Sequence, residues 1–297
     1  MNSNRRQFLG RTGAALIGAA WLSRSDELGA SPMNQPIGFQ AYEIIPDLNK
    51  DWDGTWKKMA GIGYNFIDAL TSAPYITPTR TAKDLRGVIE SYGLGCDNAH
   101  FGYNNFKNTF AQVVATAHDL KVKSAVCGPW NRRQSADDWK ALADELNTFG
   151  AQTQKEGFFV GYHNHEIEFI KTPDGQVPYD LLMKGTDPAL VKFQIDVGNL
   201  TFGGADALAY LTKYPTRYFS LHAKDFVKGK ASVPVGQGTL DWKKIFAAAK
   251  TANIKSYVAE VGAYGASTLS GPLEPSSIDI IESFRQSYVF LKAFKDA

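Results

Sequence analysis

A chain of 297 residues, 44% of them apolar, can bury a large core and suits one α/β domain better than two small ones. Its 32 Lys and Arg against 30 Asp and Glu leave a formal charge of +2, which excludes the concentrated positive field that nucleic acid or an acidic membrane would need in a partner. Cys96 and Cys127 lie in apolar runs without metal-ligand spacing, so they read as buried free thiols and not as a zinc knuckle.

At the N-terminus Arg5 and Arg6 precede an uncharged, moderately apolar segment from Gly13 to Leu22, the layout of a twin-arginine export signal. That run is too short to span a bilayer comfortably, and no later stretch reaches the roughly eighteen apolar residues of a spanning helix. Residues 1–32 are therefore expected to be a signal peptide and linker, cut near residues 23–33 and read by the twin-arginine export machinery. Residues 33–297 are expected to form one domain, periplasmic or otherwise exported, without stable membrane insertion.

Short apolar runs then alternate with longer amphipathic ones. A first strand over 37–44 leads to a helix over 53–63, and a second strand over 64–70 to a helix over 81–93 with Gly93 as its stop. Strands three, four and five are expected at 94–101, 122–130 and 158–165, with a helix over 136–157 before the fifth. Strands six, seven and eight follow at 191–198, 217–224 and 256–262, with a helix over 241–253 before the last and a closing helix over 278–294. Eight strands separated by helices argue for an α/β fold of the (β/α)₈ TIM-barrel type. A doubly wound sheet is the rival, but no G-x-G-x-x-G follows a strand.

In such a barrel the site forms where strands end, so polar residues at those ends become candidates. Asp196 closes strand six, in QIDVGN; His222 and Lys224 share a face at the end of strand seven, in HAKD; Glu260 follows the apolar run of strand eight. A buried carboxylate without a partner is costly, so a cation beside Glu260 is expected. Carboxylate and imidazole donors in this mix suit one divalent ion, Mn²⁺, Zn²⁺, Co²⁺ or Mg²⁺.

Strand five ends in GYHNHEIEF, which offers His163, Asn164, His165, Glu166 and Glu168 within six residues. Alternation puts His163 and His165 on one face, and either a histidine or Glu168 can complete the metal set. Glu168 is preferred, which frees His163 and His165 for proton transfer or for holding sugar hydroxyls, with Asn164 beside them and Glu166 in solvent or capping a helix. His100 at strand three, Trp130 after strand four, Glu43 and Gln40 near strand one and Asp68 near strand two are further substrate contacts, whereas His118 lies inside a helix and reads as structural. In PVGQGTLDW, Gly236 and Gly238 allow a tight loop, and Thr239 or Asp241 can cap the next helix.

The ordered set GYHNHEIEF, QIDVGN, HAKD, PVGQGTLDW and Glu260 resembles the sugar phosphate isomerase/epimerase family with its xylose isomerase-like TIM barrel. The resemblance covers nearly the whole chain after the leader and implies metal ligands at Glu168, Asp196, His222 and Glu260. Many relatives carry a glutamate directly at the end of strand five, where this chain has Tyr-His-Asn-His first. The implied activity is metal-dependent isomerisation or epimerisation of an unphosphorylated sugar or keto-sugar by proton abstraction beside a carbonyl. Glu168, Glu260, His163 or His165 would take the proton, and Lys224 would hold oxyanion charge or a hydroxyl. A lyase, dehydratase or hydrolase acting on 3-keto-glycosides or inososes shares the first half of that chemistry. A non-catalytic periplasmic sugar-binding protein is the rival from another class. Assembly state stays open, a homo-oligomer included.

Overall fold

The computed structural model describes residues 35–128, 135–227, 232–262 and 279–294. The N-terminal leader and Trp130 lie outside them. Eight parallel strands close into a barrel: β1 (Ile37–Gln40), β2 (Phe66–Leu70), β3 (Gly95–Gly102), β4 (Ser124–Gly128), β5 (Phe159–His163), β6 (Val191–Asp196), β7 (Tyr218–Ala223) and β8 (Tyr257–Ala259). β8 pairs with β1, which leaves no open edge among the barrel strands. The main helices around them are α1 (Trp52–Ile62), α2 (Ala82–Ser91), α3 (Phe110–Leu120), α4 (Ala136–Lys155), α5 (Pro178–Gly185), α6 (Ala207–Lys213), α7 (Trp242–Thr251) and α8 (Ile280–Ala293).

Strands buried on both faces read as continuous apolar runs, and β2 and β4 are buried at every position. The helices begin where side chains can satisfy free amides: Thr81 with Asp84 and Ser135 with Asp138 form capping boxes, and Asp241 caps α7 through the Lys244 amide. The closing helix locks the seam. Phe284 of α8 packs edge-on against Phe39 of β1 and Tyr64, whose hydroxyl donates to the Phe284 carbonyl at 2.8 Å.

The departures from the expected boundaries fall where the site is built. β1 stops at Gln40 and passes into a 3₁₀ turn over Tyr42–Ile44, so Glu43 stands on a turn and not on a strand. β6 stops at Asp196 and becomes a short helix over Val197–Phe202, while β5 stops at His163 and the chain then folds into a 3₁₀ turn over Ile167–Phe169. Neither Cys96 nor Cys127 is in a disulfide, and Cys127 is buried.

Candidate active site at the strand ends

A cavity of about 680 Å³ opens at the C-terminal ends of the strands, lined by Gln40, Glu43, His100, His163, His165 and Glu260 among others. Register places its floor. Asp196 lies beside His222 across the β6–β7 pair, and His163 beside Gln194 across β5–β6. One donor atom from each of His163, Asp196, His222 and Glu260 lies within 4.8 Å of every other, and all four residues are buried.

Within this group Glu260 holds the centre. Its Oε1 accepts from Lys224 Nζ at 2.8 Å and its Oε2 lies 2.6 Å from His222 Nδ1. Burial opposes ionisation of Glu260, but Lys224 and His222 hold its carboxyl well below the usual range. Burial likewise opposes a charge on His222, yet hydrogen bonds to Asp68 and Glu260 raise the ring to about 10. Asp196 divides its two oxygens between two tasks: Oδ1 caps the following helix through the Asn199 amide at 2.7 Å, while Oδ2 is buried with no hydrogen-bond partner. Burial, and then the Glu260 charge, push the Asp196 carboxyl up to about 8. An orphaned buried oxygen among two imidazoles and a second carboxylate fits a divalent cation, with His163, Asp196, His222 and Glu260 as its holders.

Glu168 stands elsewhere. Its Oε1 accepts from the Tyr162 hydroxyl at 2.7 Å and its Oε2 from the His165 amide at 3.0 Å, and it belongs to no cluster of metal-capable donors among the described residues. The 3₁₀ turn aims the carboxylate back under β5, and His163 at the strand end takes the place expected for it. Asn164, expected to touch substrate, spends its side chain on Asp196: Nδ2 donates to the Asp196 carbonyl and Oδ1 accepts from the Asp196 amide, each at 3.0 Å. Glu166, expected in solvent or as a helix cap, is buried at the N-cap of the 3₁₀ turn, where its side chain makes no capping bond.

His165 lines the cavity with a buried Nδ1 that has no partner, and burial lowers its ring to about 4, so the imidazole is neutral at pH 7. Glu43 lines the opposite wall, because β1 and β5 lie four strands apart in the closed ring. Its Oε2 is buried without a partner, and burial followed by the Glu260 charge raises the carboxyl well above the usual range. Gly262, at φ +121°, leaves it that space: a Cβ there would lie 2.5 Å from Glu43 Cγ. His100 reaches the cavity from β3, and Lys224 is fully buried beneath it. His118 sits on α3 beside Glu156 at 3.3 Å, on the outside of the barrel.

Two more residues lie in the floor: Asp68, read from sequence as a substrate contact, and Gln194, which sequence reasoning did not assign to the site. Asp68 of β2 and Gln194 of β6 are fully buried and hydrogen-bonded to each other at 2.7 Å. Their signal was a polar side chain in the middle of an apolar strand. Burial works against ionisation of Asp68, but His100 and His222 hold its carboxyl below the ordinary carboxylate range.

The family model of the xylose isomerase-like TIM barrel matches residues 37–286. An inosose dehydratase of Clostridium beijerinckii is 31% identical over 249 residues, covering 71% of this chain and 82% of that protein. An inosose dehydratase of Clostridium perfringens is 32% identical over 157 residues, 46% of this chain and 51% of that protein; the chain thus spans about half the length of the first curated relatives it matches. A solved sugar phosphate isomerase/epimerase of Parabacteroides distasonis superposes with a TM-score of 0.72 at 23% identity, over 87% of this chain and 94% of that one.

Proposed function

The chain belongs to the xylose isomerase-like TIM barrel family, and on that footing we propose that it is a metal-dependent dehydratase of unphosphorylated cyclic polyhydroxy ketones, the class that contains inososes. The observation that carries this reading is the pair of unpartnered groups on opposite walls of the cavity, with the four-residue metal group between them: His165 Nδ1 and Glu43 Oε2. A bound divalent ion supplies Lewis-acid polarisation of a carbonyl and its neighbouring hydroxyl, which makes the adjacent C–H acidic.

The chain's own residues do the rest. His165, neutral and with Nδ1 unpartnered, accepts the proton from the carbon beside the carbonyl in the tautomer that keeps its own proton on Nε2. Glu43, protonated in its buried setting, donates to the hydroxyl that leaves from the next carbon, so that C–O cleavage releases water and leaves Glu43 as carboxylate. Lys224 keeps Glu260 charged and in place. Epimerisation is the second reading, favoured by the same pair of opposed groups: a proton removed on one face of a carbon and returned on the other needs the same placement.

Proton NMR of inososes and keto-sugars with metal-loaded protein in D₂O tests both readings. Loss of water with a conjugated, ultraviolet-absorbing product is expected; deuterium incorporation with inverted configuration and no loss of water would transfer the assignment to epimerisation. No exchange and no product across the panel would remove the enzyme reading for this substrate class.

A further inference from the structure

Behind the four metal-capable residues lies a chain of hydrogen bonds that ends on two of them. Asp68 Oδ2 lies 2.8 Å from His222 Nε2, 2.7 Å from Gln194 Nε2 and 3.2 Å from His100 Nε2. A carboxylate only accepts, so the Gln194 atom facing Asp68 must be the amide nitrogen, and its Oε1 must face the other way. There it meets His163 Nδ1 at 2.9 Å. An amide oxygen also only accepts, so His163 carries its proton on Nδ1 and presents the Nε2 lone pair to the cluster. The same reasoning at His222 has Nε2 donating to Asp68 and, in the metal-free chain, Nδ1 donating to Glu260; a cation binding there replaces the Nδ1 proton, while the Nε2 proton stays held by Asp68. Asp68 and Gln194 are themselves outside the donor group, and the Asp68 oxygen that meets them is occupied by three donors.

We propose that Asp68 and Gln194 are positioning residues that commit His163 through Nε2 and His222 through Nδ1 to the ion, giving a donor set of two imidazoles and two carboxylates that selects a zinc-class transition dication over magnesium. The proposal rests on the metal centre of the preceding reading and replaces the three-carboxylate, one-imidazole set expected from sequence. The exchange matters chemically. Magnesium favours all-oxygen surroundings and keeps its water, whereas imidazole suits zinc and cobalt. A ring held by a fixed outer hydrogen bond is also the usual companion of a metal-bound histidine, and its removal costs about ten- to a hundredfold in affinity.

Chelator-treated full-length protein titrated with Zn²⁺, Co²⁺ and Mg²⁺, by competition with a metal indicator and by the visible spectrum of the Co²⁺ form, tests this without any substrate. One Zn²⁺ or Co²⁺ per chain, bound about a hundredfold or more tightly than Mg²⁺, is the result expected from the donor set. Gln194→Met and Asp68→Asn should each weaken Co²⁺ binding about ten- to a hundredfold and shift its visible band, with far-ultraviolet circular dichroism unchanged. If Asp68→Asn does not fold, Gln194→Met decides alone, because a methionine of similar volume removes only the hydrogen bonds. Wild-type affinity and spectrum in folded variants, or a preference for Mg²⁺, would overturn the inference and leave the metal centre standing. No binding of any of the three ions would remove the centre and the inference together.

Discussion

At the scale of single residues the site is held by charges that cannot be removed one at a time. Glu260 is the shared acceptor for Lys224 and His222, all three buried, so Glu260→Gln strands a lysine and an imidazolium in the interior. Breaking one side of a buried pair costs about 3–5 kcal/mol. Urea denaturation of Glu260→Gln should show a loss of that order together with loss of bound metal; wild-type stability would mean that the Lys224 contact is not made in solution. Glu168→Gln should behave oppositely. Its two oxygens serve Tyr162 and His165, so the variant should keep wild-type metal content in elemental analysis. A metal-free Glu168→Gln protein would return that residue to the ligand set.

At the scale of elements, the segment from the end of β7 to α7 depends on one carboxylate. Buried Asp225 accepts from the amides of Phe226, Gly236, Gly238 and Leu240 and from the Trp242 indole, five donors on a segment whose described residues form one short antiparallel pair, Asp225–Phe226 with Ser232–Val233. Gly238 is required by that approach, since a Cβ there would lie 1.9 Å from Asp225 Oδ1. The glycines were legible in sequence as a tight loop, but the acid they wrap was not, because it lies eleven to thirteen residues earlier and nothing local marks it. Asp225→Ala would leave several buried donors without acceptors, at about 1–3 kcal/mol each. A drop of several kcal/mol in denaturant stability, with limited proteolysis entering between β7 and α7, is the expected outcome; resistance equal to wild type would show that the loop holds without it. Lys224 directly precedes this anchor, so the loop also fixes the direction from which the ammonium reaches Glu260.

Across the whole molecule, the unusual protonation of the floor sets how stability varies with pH. Burial pushes Glu168 and Asp196 up to about 8, and His222 is raised to about 10 by its bonds to Asp68 and Glu260 against the opposing cost of burial. Between pH 7 and 9 the folded, metal-free chain therefore retains protons that the unfolded chain has already released. Stability must then fall as pH rises, by at most about 1.4 kcal/mol per pH unit for each such proton. A bound cation takes over the role of the Asp196 and His222 protons, so the stabilisation by metal should grow with pH. Thermal melts at pH 7, 8 and 9 with chelator should show a declining midpoint and a widening gap to zinc-loaded protein; a midpoint that stays level or climbs with chelator would contradict the protonation pattern.

Sequence by itself determined the segmentation: apolar runs of strand length, amphipathic runs of helix length, and polar residues such as Asp196, His222 and Glu260 at the points where one gives way to the other. Those are local properties, because backbone hydrogen bonding imposes its period on neighbouring residues. Which strand ends meet is not local. Closure of the ring sets Asp68 against His222, 154 residues later, and turns a polar residue inside a strand into the support of a ligand. The same holds at the end of β5, where alternation predicts a facing side only while the strand lasts. Beyond His163 the chain turns, and three-dimensional packing alone sends Glu168 to Tyr162 and leaves His163 with the group of four.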